Sequence, residues 1–141
     1  MSGVMNSLLT DREILRCIFE MYAPSYPGTQ PGEIRGKNDP YLPLKINEAA
    51  TRLGCSPEMP FGRLYYHLDA KFSYTKDGNV QVHIFALKVG AQMHCVNFPF
   101  LAAVLADKDE EHKRQLWSLG VAITASVLSV ASIVAQVITA K

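Results

Sequence analysis

The stretch WSLGVAITASVLSVASIVAQVITA, residues 117–140, runs for 24 residues without a charge. As a helix rising about 1.5 Å per residue it measures roughly 36 Å. That exceeds the roughly 30 Å hydrocarbon core of a bilayer. Ten of the 24 residues are Val, Ile or Leu. Each contributes roughly 0.3–0.6 kcal/mol to insertion near the helix centre, so about 3–6 kcal/mol favours lipid. Four Ser, two Thr and Gln136 subtract from this. The expectation is a marginally hydrophobic transmembrane helix that gains from packing against others, with Trp117 at one interface and Lys141 at the other. A dimerising helix buried in a soluble assembly is the alternative, because the run has no polar stripe at helical spacing beyond scattered hydroxyls.

Working outward, the preceding residues set an orientation. Lys108, Lys113 and Arg114 lie just before the apolar run and only Lys141 follows it, which predicts a cytoplasmic N-terminal body and a tail-anchored, single-pass arrangement. Residues 107–116 read as a charged juxtamembrane connector. Small residues recur at four-residue spacing, with Ser118, Ala122 and Ser126 on one row and Ala125 and Ser129 beside it. Such rows let helix backbones approach closely, so self-association through this helix is expected, although small residues are also simply common in membrane helices.

The whole chain has 141 residues, 48% apolar and 19% charged, enough for one compact domain and an appendage. Fourteen basic groups against thirteen acidic ones exclude a strongly basic nucleic-acid coat. Cys17, Cys55 and Cys95 are odd in number and widely spaced, which argues against a disulfide framework and suits a reducing compartment. The first nine residues lack the basic start and long apolar run of a signal peptide.

Residues 1–106 read as helix, helix, helix, hairpin and the start of another helix. Thr10 and Glu13 form a capping box, with Leu9 and Ile14 as its hydrophobic staple. Ile14, Cys17, Ile18, Met21 and Tyr22 then recur as one apolar face, and Pro24 ends the helix. This makes Cys17 a core residue. Residues 23–44 hold five prolines and three glycines and read as one long loop, mobile or functional. Asn47 is the expected cap of a short helix ending at Gly54. Ser56 and Pro57 start the next helix, whose buried side carries Phe61, Leu64, Tyr65, Leu68 and Phe72.

The sequence Ala49-Ala50-Thr51-Arg52-Leu53-Gly54-Cys55-Ser56-Pro57, followed by Arg63-Leu64-Tyr65-Tyr66-His67-Leu68, resembles the helix-turn-helix of winged-helix proteins. Ala50 and Gly54 match that family's small residue and turn glycine. The resemblance covers roughly residues 44–98 and implies an α+β fold, three helices plus a β-hairpin wing. Asp77-Gly78 is a tight-turn pair, and the strand-like runs 80–89 and 92–98 flank Gly90-Ala91, suited to a type II′ hairpin. In that register Ala86 faces Cys95 and Leu87 faces His94. Asn97 and Pro99 begin the following helix, which the charged stretch either continues or hinges.

No catalytic site is expected. The sequence has no nucleophile elbow, phosphate loop or paired-carboxylate pattern, and Asp109-Glu110-Glu111 reads as a solvated helix face. His83 and His94 share a hairpin face but lie roughly 13 Å apart along the ladder, too far for one metal ion. No cofactor and no metal is therefore expected. The resemblance places Arg63, Tyr66, His67 and Lys71 on the outward side of a recognition helix, with Lys76 at the wing approach and Arg52 on the preceding helix, where they can meet phosphates, base edges or a protein partner. Residues 1–106 hold ten basic against nine acidic groups, a weak source of DNA affinity. Two functions follow from different classes. One is a membrane-tethered winged-helix module recognising a protein or DNA. The other is a small membrane effector whose oligomerised helices form a pore lined by Ser118, Thr124, Ser126, Ser129, Ser132, Gln136 and Thr139.

Overall fold

The computed structural model describes residues 8–27, 40–90 and 92–140. They fall into two compact units, Met1–Leu105 and Ala106–Lys141. Most of the expected 23–44 loop lies outside the described residues, as does Lys141.

The first unit begins with α1, Asp11–Tyr22. Its capping box is complete: the Thr10 amide donates to Glu13 Oε2 at 2.7 Å and the Glu13 amide to Thr10 Oγ1 at 3.2 Å. The Thr10 hydroxyl also donates to Glu13 Oε2 at 2.8 Å, and this bond together with that of the Thr10 amide holds the Glu13 carboxyl below its ordinary value near 4.5. Ile14, Leu15 and Ile18 are fully buried, which is what the three- and four-residue spacing dictates. Cys17 packs toward α2, Ile46–Leu53, with its thiol 3.8 Å from the Ala49 carbonyl. Cys17 is half-buried rather than part of the core, and that burial raises its pKa.

Two starts differ from the reading by sequence. Lys45, not Asn47, is the N-cap of α2, and no side chain caps it. The Lys45 amide instead donates to the Tyr22 hydroxyl at 2.9 Å, so a tertiary bond fixes the chain there. The following helix, α3, spans Glu58–Gly62 with Pro57 as N-cap. Gly54 closes α2 in the left-handed conformation at φ 69°, where a side chain is strained.

Beyond Gly62 the backbone does not continue as a regular α-helix. Arg63–Leu68 is a π-helical segment, and α4, Asp69–Phe72, completes it. Leu64 and Leu68 are both fully buried, four residues apart on the inner side. The expected single helix is therefore interrupted in its middle, a rare geometry that re-aims the side chains along it.

The sheet also departs from the expected hairpin. The run 80–89 is split: β3, Val80–Val82, pairs with β2, Tyr74–Lys76, as a separate antiparallel ribbon around Asp77-Gly78. Only its second half, β4, Phe85–Val89, pairs with β5, Gln92–Asn97. The expected register holds at Ala86 opposite Cys95. Phe85 lies opposite Val96 with both buried, and the Phe85 and His94 rings stack at 6.4 Å, whereas Leu87 is exposed. The end of the expected loop is a strand, β1, Tyr41–Pro43, antiparallel to β5. The sheet order is β1-β5-β4, and Pro43 costs little because β1 is an edge strand.

Asn97 caps the last helix, α5, Phe98–Thr139, with its side-chain oxygen accepting from the Phe100 amide at 3.2 Å. Phe98, Leu101, Val104 and Leu105 join the core with residues of α1, β1, the π segment and the sheet. The charged stretch continues the helix rather than hinging it.

The second unit is the rest of α5. It is the one helix among the described residues long and apolar enough to cross a membrane, with a window mean hydropathy of 2.2 and none of that window buried.

Candidate functional site

Arg63 and His67 sit one turn apart on the π segment and both turn back to α1. Arg63 Nε lies 2.6 Å from Asp11 Oδ1, and His67 Nε2 lies 3.3 Å from Asp11 Oδ2. The Asp11 side chain is only 12% exposed, so one carboxylate at the start of α1 holds two of the expected recognition residues. Asp11 also suits its position in the first turn, where a negative charge meets the helix dipole. Arg52 pairs with Glu48 one turn away at 3.0 Å. Its charge is shared with an acid on its own helix, and the pair is exposed.

The remaining expected residues stay outward. Tyr66 is 74% exposed, its ring set edge-on to Tyr65 at 4.9 Å. Lys71 lies over the Phe72 ring at 5.3 Å, a cation–π contact. Lys76 is exposed on β2 opposite Val80. Among the described residues the structure thus separates the six into two groups, Arg52, Arg63 and His67 set against Glu48 and Asp11, and Tyr66, Lys71 and Lys76 without an acidic partner there.

A polar centre that the sequence reading did not single out lies at the join of α4 and the sheet. Asp69 Oδ1 accepts from Ser73 Oγ at 2.8 Å and from the amides of Ile84 and Phe85 at 3.1 and 3.2 Å. His83 Nδ1 lies 2.9 Å from Asp69 Oδ2. The Tyr41 hydroxyl donates to the His83 carbonyl at 3.2 Å. The bend between β3 and β4 leaves two amides without ladder partners, and Asp69 supplies the acceptors. A carboxylate only accepts, so in the contact with Asp69 the His83 Nδ1 is the donor. Ser73 approaches this same Nδ1 at 3.3 Å, so the three residues do not form a nucleophile–base relay, which needs the hydroxyl on the opposite ring nitrogen. Nothing in the spacing of residues 69, 73 and 83 signals this centre, since a bend in the middle of an apolar run creates it. His83 faces Asp69 and not His94, and no cluster of three metal-ligating side chains forms among the described residues.

Along α5, Lys108 pairs with Glu111 at 3.4 Å and Arg114 with Glu110 at 3.3 Å, both on the surface. Lys113 is exposed and Trp117 is 77% exposed. Ser118, Ala122, Ala125, Ser126 and Ser129 are exposed around the apolar helix. The hydroxyls of Thr124, Ser126 and Thr139 donate to carbonyls one turn back, each at 2.9 Å, which satisfies them within the helix.

Compared with known proteins, the chain matches no family model, no curated protein and no solved structure.

Proposed function

We propose that this chain is a membrane-tethered module: a winged-helix-like unit recognises a protein or DNA at the cytoplasmic face, and the apolar end of α5 holds it at the bilayer. The observation that carries the reading is the apolar stretch of α5, with none of its most hydrophobic window buried. In water that surface is a heavy cost, and a bilayer removes it. Lys113, Arg114 and Trp117 supply the basic flank and the aromatic anchor that favour a cytoplasmic first unit. The winged-helix reading draws support from β1 lying between α1 and α2 in sequence and from the sheet order β1-β5-β4. The ribbon β2–β3 is an addition to that plan.

Within this reading a protein partner is better supported than DNA. Arg63 and Arg52 pair with Asp11 and Glu48, which lowers the number of cations available to displace counterions from phosphates. The pore reading loses support from the hydroxyls of Thr124, Ser126 and Thr139, which already have partners in their own helix. Self-association through the small-residue rows stays part of the proposal.

Fractionation tests it. The full chain should stay with membranes through carbonate extraction, and a chain ending at Ala106 should not. Full chain purified in micelles should show no salt-dependent DNA retention that is lost on combining Arg63→Ala with Lys71→Ala. Carbonate-soluble full chain would overturn the tether, and such retention would move the recognition reading to DNA.

A further inference from the structure

The end of the charged stretch and the start of the uncharged run carry two features on one side of α5. The first is charge. Lys113 and Arg114 are the last two cations before the run, and both are exposed. Lys113 has no acidic partner among the described residues, and Arg114 meets Glu110 only through an exposed pair at 3.3 Å, of a kind that contributes little in water. The acids of the connector, at residues 107 and 109–111, all lie further from the run, so the charge next to it is positive.

The second feature is shape. Trp117, Gly120, Val121, Thr124 and Leu128 line an open groove of about 650 Å³ along the helix. Gly120 supplies its floor, since an added Cβ there meets nothing within 4 Å. The Thr124 hydroxyl donates to the Gly120 carbonyl at 2.9 Å, so its polarity is satisfied within the helix and the floor stays apolar. Trp117, Val121 and Leu128 form the walls, each more than half exposed. Lys113 lies four residues before Trp117 and Arg114 three, so the two cations flank the head of this groove one turn above it. From Trp117 to Leu128 the groove runs about 16 Å at 1.5 Å per residue. That is half of the roughly 30 Å hydrocarbon core, the depth of one leaflet.

We infer that this face of α5 binds an anionic phospholipid, with the phosphate between Lys113 and Arg114 and an acyl chain lying along the groove over Gly120. The inference rests on the membrane-tethered reading of the proposed function and names the lipid that the tether selects. Charge complementarity chooses the headgroup, because a zwitterionic lipid brings its own cation to two that are already there. The indole N–H of Trp117 adds a donor at the same depth. A second copy of α5 is the competing occupant. The row that favours close helix approach, Ser118, Ala122 and Ser126, lies roughly 140° round the helix from the groove at 100° per residue. A dimer built on that row leaves the groove facing lipid, whereas a parallel copy seated in the groove sets Lys113 and Arg114 against their counterparts.

Trp117 is the chain's one tryptophan and stands at the head of the groove, so its fluorescence reports the lipid beside it. The test uses the full chain reconstituted into phosphatidylcholine vesicles in which a minor fraction of the lipid carries brominated acyl chains, which quench indole emission, on either phosphatidylglycerol or phosphatidylcholine. The brominated phosphatidylglycerol should associate with Trp117 about fivefold more strongly, the attraction of about one basic side chain to an anionic lipid surface. Lys113→Gln combined with Arg114→Gln should make the two lipids equal. Gly120→Leu raises helix propensity and hydrophobicity, which keeps the chain in the membrane, yet it fills the floor of the groove and should cut the preference by at least about half. Equal quenching by the two lipids would overturn the inference, as would a preference that survives loss of both cations or one untouched by Gly120→Leu. Quenching that falls as the protein-to-lipid ratio rises would put a second copy in the groove and overturn it as well. Carbonate extraction of the same proteins reads attachment separately. A chain that resists carbonate but shows no headgroup preference loses this inference alone, whereas a carbonate-soluble chain loses the tether with it.

Discussion

Asp69 gathers four donors on one carboxylate: Ser73, His83 and the amides of Ile84 and Phe85. By sequence it is one of the nine acidic groups that offset the basic residues of the first 106. Its side chain is 15% exposed, so the two amides it serves have little access to water. Removing a buried acceptor costs the desolvation of each stranded donor, about 1–3 kcal/mol. Asp69→Ala strands both amides and should weaken the β3–β4 bend by roughly 2–4 kcal/mol. Asp69→Asn keeps an acceptor oxygen for the amides but not the charge, and should cost about 1 kcal/mol. Amide hydrogen exchange on the full chain in micelles reads both. Ile84 and Phe85 should exchange much faster in the alanine variant than in the asparagine variant, and equal rates would remove Asp69 from this role. Asp11 illustrates the same limit on sequence reading. Its spacing from Arg63 and His67 is 52 and 56 residues, and no local pattern announces a contact of that range.

At the scale of elements, the features set by nearest neighbours were legible. The Thr10–Glu13 box, the inner face of α1, the left-handed Gly54, the Ala86–Cys95 register and the Asn97 start of α5 all depend on residues a few positions apart or on a short turn. The elements that depend on distant chain were not. β1 exists because three residues of a proline-rich stretch find β5 about fifty residues later. The run 80–89 alternates as one strand but breaks where Asp69 takes its amides. The π segment follows a helix start containing Pro60 and Gly62, and periodicity alone does not distinguish an α from a π repeat over six residues. Gly54 offers a test at this scale. An added Cβ there meets nothing within 4 Å, yet φ is +69°, so any penalty is purely conformational. Gly54→Ala should destabilise the first unit by about 1 kcal/mol and Gly54→Asn by less, because Asn tolerates the left-handed region. Thermal unfolding followed by circular dichroism checks the order Gly, Asn, Ala. An alanine variant as stable as the parent would mean that the α2–α3 turn can relax to another conformation.

For the molecule as a whole, the outcome turns on what covers the apolar end of α5. Its ten Val, Ile and Leu residues favour lipid by about 3–6 kcal/mol, a margin narrow enough to be overturned by design. One arginine at the centre of a membrane helix costs about 2.5–3.5 kcal/mol. Val127 and Leu128 sit near the middle of the uncharged run and are both more than half exposed, so substituting them disturbs no packing within the chain. A single Val127→Arg should leave insertion nearly balanced, with the protein divided between the carbonate pellet and supernatant. The pair Val127→Arg with Leu128→Arg costs about 5–7 kcal/mol by the same scale and should release the chain. Helix–helix association cannot rescue it fully, because polar contacts between membrane helices contribute only about 0.6–2 kcal/mol each. If the double variant stayed in the carbonate pellet, lipid would not be what shelters this helix. The attachment would then have to reside in the first unit, and the charge-free run would need a protein surface as its cover.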